Sequence, residues 1–252
     1  MNQIEKAQLL KSLHVPGNPL VLYNIWDSGG AMAIAKAGAK AIATGSWSIA
    51  ESHGFKDGEN IPLDLVLLII ERISKSVDLP LTVDFEGGYA ALPDQIEINV
   101  KRLIDAGAVG LNFEDQIVNG SGLYPISEQV DRIKAVRKAA DRAGVPLFLN
   151  ARTDLFLKEK DAEQHATLVE EALRRQSAFA EAGADGFFIP GLTSEDIINT
   201  LCSQSILPVN VMMRGKLNSI ENAAQCGVSR ISYGPGPYFN AIDDLTARFS
   251  KL

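Results

Sequence analysis

Two carboxylates, Asp84 and Glu86, stand directly after the apolar run Leu81–Val83 and directly before the pair Gly87-Gly88. The run follows Pro80 and reads as a short buried strand. Alternate residues of an extended chain point the same way, so the two acids are expected to face one spot. Like charges held together are costly unless a cation or a shared proton compensates them, and hard Mg²⁺ or Mn²⁺ prefers such oxygens. The glycines let backbone approach a ligand closely. Taken alone, the pair reads equally well as a solvated acidic turn. The metal reading gains weight from polar clusters at the ends of other expected strands: Trp26-Asp27, Gly45-Ser46-Trp47-Ser48, Glu114-Asp115, then Asn150, Arg152 and Asp154, then Asn210 and Arg214. Arg152 offers a planar fork suited to a substrate carboxylate, and the same fork can pair with Asp154 or Glu114. Breaking a bond β to a keto group leaves an enolate, whose charge a chelated metal stabilises.

The elements that must position these residues alternate along the whole chain. Strands are expected at Leu20–Ile25, Lys40–Thr44, Leu81–Asp84, Val109–Phe113, Pro146–Asn150, Asp185–Ile189, Pro208–Met212 and Ser229–Tyr233. Helices are expected at Ser28–Lys36, Pro62–Ser76, Pro93–Asp105, Ser127–Arg142, across 161–182, and near 194–204, 217–226 and 238–250. The phrase Ala-Gly-Ala recurs at 37–39, 106–108 and 182–184, with Cys226-Gly227-Val228 as a looser copy. Each copy sets glycine where a helix C-cap needs positive φ, just ahead of a buried strand. Eight βα units predict a (β/α)₈ TIM-type barrel, with a doubly wound open sheet as the rival. No Gly-x-Gly-x-x-Gly follows the first strand, which disfavours the rival. No Pro/Gly/Ser-rich linker divides the chain, so residues 1–252 are expected to form a single domain, with an N-terminal helix at about 1–14 and a C-terminal helix at about 237–250.

The 252 residues carry a net charge of −7, which argues against a nucleic-acid partner, for which a basic face is expected. The apolar run Leu65–Ile70 is too short to span a bilayer. Two cysteines, Cys202 and Cys226, are too few for a disulfide framework, and both fall in late helical segments as small hydrophobes. The N-terminus lacks the apolar stretch of a signal peptide, and the expected setting is the cytoplasm. His14 and His165 fall on helical segments and read as structural.

The chain resembles the isocitrate lyase/phosphoenolpyruvate mutase superfamily over nearly its whole length. The matching phrases are Ser46-Trp-Ser, Asp84-x-Glu-x-Gly-Tyr89, Gly110-x-Asn-x-Glu114-Asp115 and Phe148-Leu-Asn-Ala-Arg-Thr-Asp154. Their order and spacing together carry the resemblance. It implies Mg²⁺ held by Asp84, Glu86 and Glu114, some through water, and chelated by the pyruvyl end of a small α-oxo acid. It also implies that backbone and hydroxyl groups around Ser46–Ser48 hold the substrate carboxylate, helped by Arg152. The candidate catalytic set is Arg152, Asp57, Glu114 and Asn119. The candidate substrate-binding set is Ser46, Trp47, Ser48, Tyr23, Asn150 and Asn210. Asp57 belongs to the Gly-rich loop Glu51–Gly58, which suits a lid, and the same loop carries His53, a solvated residue or a proton donor.

Departures from the family pattern narrow the reading. The lyase branch carries Lys-Lys-Cys-Gly-His, whereas Gln116–Tyr124 holds no Cys, Lys or His. Of the mutase phrase Pro-Lys-x-Asn only Asn119 remains, and Ala90 replaces the last glycine of Gly-Tyr-Gly. The favoured activity is cleavage or decarboxylation of an oxaloacetate-like acid, or a phosphonopyruvate-type reaction. The alternatives are a phosphoenolpyruvate or carboxyphosphonoenolpyruvate mutase, a methylisocitrate-type lyase, and a barrel that binds an oxo acid without turning it over. The resemblance further implies a homotetramer, and the expected assembly is a homodimer or homotetramer. Tyr238, Phe239, Ile242, Leu245 and Phe249 make one apolar face of the last helix, to be buried on its own barrel or on a partner's.

Overall fold

The computed structural model describes all 252 residues. Eight parallel strands lie in the order β1-β8-β7-β6-β5-β4-β3-β2. They are β1 (Leu20–Leu22), β2 (Ile42–Ala43), β3 (Leu81–Asp84), β4 (Gly110–Glu114), β5 (Phe148–Arg152), β6 (Gly186–Phe188), β7 (Val209–Met212) and β8 (Arg230–Ser232). The sheet closes between β1 and β2 just beyond both strands. There Ile25 N donates to Ala43 O at 2.9 Å and Gly45 N donates to Ile25 O at 3.2 Å. The expected (β/α)₈ barrel is therefore the fold. Most strands are shorter than expected, and β4 and β5 lie one to two residues later along the chain, which brings Glu114 and Arg152 into strands.

The helices are α1 (Gln3–Ser12), α2 (Ser28–Lys36), α3 (Ser46–Ser52), α4 (Leu63–Ser76), α5 (Pro93–Asp105), α6 (Ile126–Ala143), α7 (Leu155–Lys158), α8 (Val169–Glu181), α9 (Glu195–Gln204), α10 (Ile220–Gln225) and α11 (Gly236–Phe249). Helix α3 was not expected: Ser46–Ser48 is its first turn, capped by the extended Gly45. The single helix expected across 161–182 is broken. A 3₁₀ segment, Ala162–Leu168, begins where the Asp161 side chain accepts from Glu163 N, and α8 starts only at Val169. The break lets His165 bury itself edge-on to Phe156 at 5.3 Å. His14, expected on a helix, lies just past the C-cap of α1, stacked on Phe148 at 3.9 Å.

Helix α1 seals the N-terminal end of the barrel. Ala7 and Leu10 are fully buried, and Gln3 Nε2 donates to the carbonyls of Ile104 and Ala108 at 2.7 and 3.1 Å. Gly110 makes room for it, since a Cβ there would sit 2.6 Å from Leu10 Cδ2. The repeated glycines cap as the repeat implied: Gly38, Gly107, Gly183 and Gly227 have φ of 98, 103, 105 and 85°. At the other end of the chain α11 buries only Pro237. Trp26 and Trp47 meet its Tyr238 and Phe239 edge-on at 5.1 and 5.8 Å, yet its apolar residues Phe239 and Leu245 remain 42% and 64% exposed, so its own barrel covers that face only in part. No helix is long and apolar enough to cross a membrane.

Candidate active site

A cavity of about 310 Å³ opens at the C-terminal ends of the strands, where barrel enzymes carry their chemistry. Ser46, Trp47, Asp57, Asp84, Asn112 and Arg152 are among its walls. Asp84 ends β3 and is fixed from three sides. Its Oδ2 accepts from Ser46 Oγ at 2.9 Å and Ser46 N at 3.4 Å, its Oδ1 accepts from Asn112 Nδ2 at 3.3 Å, and Arg152 Nη1 lies 3.6 Å away. Glu86 does not follow Asp84 in extended alternation. It turns into the left-handed region, φ 49°, and its carboxylate accepts from Glu59 N at 2.9 Å. Glu59 Oε1 in turn accepts from Tyr89 N at 2.7 Å. Glu59, Glu86 and Tyr89 all hold positive φ, a strained conformation for residues with a Cβ that persists where surrounding contacts over-determine it.

Arg152 sits among the acids. Its Nε and Nη2 donate to the two oxygens of Asp154 at 2.6 and 3.0 Å, and its Nη1 is 2.9 Å from Glu114. Burial alone would depress this guanidinium, but Asp154, Glu114 and Asp84 outweigh it and leave its pKa well above the usual value. The acids carry the opposite imbalance. Burial first, then Asp57, Asp84 and Glu59, push Glu86 up to about 8. Burial raises Glu114 well above the carboxylate range despite Arg152. Burial and the Asp84 charge raise Asp57.

This crowding is what a hard divalent cation relieves, and the donor set is all oxygen. No three acidic, histidine or cysteine side chains close on one point, because Arg152 fills the space between Asp84 and Glu114. Mg²⁺ ordinarily keeps several waters and takes one or two carboxylates directly, so the residues fit a cation held by Asp84 with Glu86 and Glu114 reached through water.

The other sequence candidates are dispersed around this centre. The N–H groups of Trp47 and Ser48, in the first turn of α3, have no acceptor within the helix and suit an anion. The Ser48 hydroxyl itself is buried and unpartnered. Asn150 and Asn210 lie below the cavity: Asn150 Nδ2 donates to Asn112 Oδ1 at 2.9 Å and to Asn210 Oδ1 at 3.0 Å. Tyr23 is half-exposed, 5.3 Å from the ring of Tyr233. Asn119 stands in the loop between β4 and α6 with φ 60° and is not a cavity wall. His53 is tied to Ile49 O and Ser52 Oγ at 2.9 and 3.1 Å. Burial pushes the Cys202 thiol up to about 12, which suits a buried hydrophobe.

Residues without an expected role complete the site. Asn112, already in the phrase Gly110-x-Asn-x-Glu114, links Asp84 to the fully buried Arg230, whose Nη2 donates to Asn112 Oδ1 at 3.1 Å. Arg175 of α8 donates from Nη1 to Asp115 Oδ2 and to Tyr124 O, both at 3.0 Å, pinning both stems of the 116–124 loop. Asn24 Oδ1 accepts from Tyr233 N and Gly234 N at 2.9 and 3.0 Å, tying the β8 end across to the β1 side. No local pattern marks Arg175 or Arg230, which meet the site only through the fold.

A family model described as phosphoenolpyruvate phosphomutase matches residues 10–252. An uncharacterised protein of Mycobacterium tuberculosis is 31% identical over 226 residues, covering 90% of this chain and 81% of that one. The 2-methylisocitrate lyase of Escherichia coli is 33% identical over 201 residues, covering 72% of this chain and 64% of that enzyme. Among solved structures, a candidate phosphonomutase from Burkholderia cenocepacia is 44% identical with a TM-score of 0.96, covering 99% of each chain. A phosphonopyruvate hydrolase solved with oxalate and Mg²⁺ shares the fold at 22% identity, with a TM-score of 0.84 over 98% of this chain and 86% of that one.

Proposed function

The chain belongs to the phosphoenolpyruvate mutase/isocitrate lyase superfamily of mutases, lyases and hydrolases, and from that premise we propose that it acts on a small α-oxo carboxylic acid through a pyruvate-type enolate, with Mg²⁺ or Mn²⁺ as cofactor. The observation that carries this reading is the mutual crowding of Asp57, Asp84, Glu86 and Glu114, two of which, Asp84 and Glu114, lie against a guanidinium already held by Asp154. When bound, the metal supplies Lewis-acid stabilisation of the enolate charge.

The chain's own groups do the rest. Trp47 N–H and Ser48 N–H receive the substrate carboxylate at the start of α3, where the helix dipole adds to the attraction. Ser46 keeps Asp84 oriented toward the cavity. Arg152 places positive charge beside the developing enolate, and its fork is held rigid by Asp154, so little reorganisation accompanies the reaction. Asp57, a cavity wall with a raised pKa, is placed to deliver or accept the proton at the methylene carbon. The loop 116–124, pinned at its stems by Arg175 and carrying Asn119, closes over the substrate and keeps water from the enolate. With no thiol in that loop, cleavage of an oxaloacetate-like acid or of a phosphonopyruvate is favoured over isocitrate-type chemistry.

The exposed apolar face of α11, together with the half-exposed Val21 and Tyr23 on the outside of β1, supports a homo-oligomer in which α11 packs on a second copy. The functional reading is tested by calorimetric titration of oxalate, a planar enolate mimic, with and without Mg²⁺, followed by a screen of α-oxo and phosphono acids for pyruvate release. Metal-dependent oxalate binding with turnover of at least one acid supports the proposal. Metal-independent binding, or none, contradicts it.

A further inference from the structure

Inside the cavity the guanidinium that sits among the acids is already committed. Arg152 bonds both oxygens of Asp154, and turning it toward a new anion would strand that buried carboxylate. Arg230 is buried beneath, against Asn112.

The cavity's remaining cations lie on its lip. Lys158 and Lys160 come from the segment after β5, and Arg214 comes from the turn after β7. All three are exposed, and none pairs with a carboxylate of this chain; Lys160 Nζ donates one bond to Leu157 O at 2.9 Å and keeps its other hydrogens free. In a chain of net charge −7, three uncommitted cations converging on one lip from two separate loops make a local anion-attracting field. A second cavity of about 750 Å³ lies beyond them and shares Leu157, Lys160 and Arg214 as a common wall, so the lip borders space on both sides. Two of the second cavity's acids are already engaged: Glu159 accepts from Asp161 N at 2.8 Å and Glu195 from Asn222 Nδ2 at 2.9 Å.

We propose that Lys158, Lys160 and Arg214 form the subsite for a distal anionic group, carboxylate or phosphonate, on the substrate. The proposal rests on the oxo-acid reading above and names its substrate class: an α-oxo acid with a second anion on the carbon beyond the oxo group. These residues set specificity, whereas Arg152 serves the reacting end.

The test compares wild type with Lys158→Gln, Lys160→Gln and Arg214→Gln, singly and combined, in the presence of Mg²⁺. Four probes are titrated calorimetrically: oxalate, which has no distal group; 2-oxobutyrate, whose distal group is an uncharged methyl; oxaloacetate, with a distal carboxylate; and 3-phosphonopyruvate, with a distal phosphonate. The combined variant is expected to lose about tenfold in affinity for the two charged probes, and less than about twofold for the other two. The charge-preserving combination K158R, K160R and R214K should restore most of the loss. Raising salt to about 0.5 M should erase the wild-type preference for charged probes and leave the combined variant unchanged. The larger loss of the two tells carboxylate from phosphonate. Equal losses on all four probes, or no loss on either charged probe, overturn the subsite. Wild-type protein that binds the charged probes but not oxalate would overturn the enolate reading and leave the lip standing, and wild-type protein that binds none of the four overturns both.

Discussion

At the mouth of the barrel three carboxylates, Asp84, Glu114 and Asp154, crowd the guanidinium of Arg152; at its base three asparagines, Asn112, Asn150 and Asn210, pass hydrogen bonds around the single guanidinium of Arg230. Strands β4 and β5 contribute to both layers, with Asn112 and Asn150 two residues before Glu114 and Arg152. At the base, neutral amides satisfy one another and α1 closes the end, while Arg230 Nε and Nη1, His14 Nε2 and Thr82 Oγ1 stay buried without partners. At the mouth, Glu86 and Glu114 are pushed toward protonation by burial first and then by neighbouring carboxylates, Asp84 among them in both cases. Stability is thus concentrated where polar groups are mutually satisfied, and chemistry where charge is left in excess. Asn112 joins the layers, with Oδ1 facing Arg230 and Nδ2 facing Asp84.

Substitutions on either side of that boundary should separate the two behaviours. The largest effect is expected from Asp84→Ala, which should lower turnover by at least about a thousandfold while shifting the melting temperature by only a few degrees. Near-normal turnover at modest Mg²⁺, measured beside a thermal melt, would erase the distinction. Leu10→Ala should do the reverse. Loss of a fully buried side chain under the barrel costs about 2–5 kcal/mol, and Mg²⁺-dependent oxalate affinity in the folded fraction should stay within about twofold.

A third expectation uses pH. Glu86 is raised from its ordinary 4.5 to about 8, so the metal-free fold binds more protons than the unfolded chain between those values. The stability Glu86 contributes is full below about pH 4.5 and is lost as pH rises through 8. The metal, which needs the ionised carboxylate, should therefore raise the melting temperature more at pH 8 than at pH 6. At the base the sign is opposite. Burial and Arg230 push His14 down to about 3, so its contribution is full above 6.5 and falls away as pH drops from 6.5 toward 3. His14→Phe should flatten that acid limb in a pH series of melts. The smallest effects belong to Cys202→Ser and Cys226→Ser, where kcat should stay within about twofold with modest loss of stability, since neither thiol lines the cavity.

The barrel was legible in the sequence because helix caps and strands repeat: β3, α2 and α5 fall where periodicity and glycine placed them. The one-sided accumulation of polar residues at strand ends located the mouth. Two local signals misled. Gly45 and the serines after it read as a loop because Ser competes with helix, yet they form the first turn of α3. Asp84 and Glu86 converge through a left-handed turn, which the expected extended alternation missed. The base network was not legible at all, since Arg230, Asn150 and Asn210 are dispersed in sequence and meet only when the strands close. The lip cations were hidden for the opposite reason: Lys158 and Lys160 look like any solvated charges until β5 brings them beside Arg214.

The most direct test of the mouth as a divalent-cation site is a titration of Mn²⁺ followed by electron paramagnetic resonance, on wild type and on Asp84→Ala. The expected result is one bound Mn²⁺ per chain in the wild type, displaced by excess Mg²⁺, tightened by oxalate and abolished by the substitution. Absence of bound Mn²⁺ in the wild type at millimolar metal, or equal binding by Asp84→Ala, would contradict it.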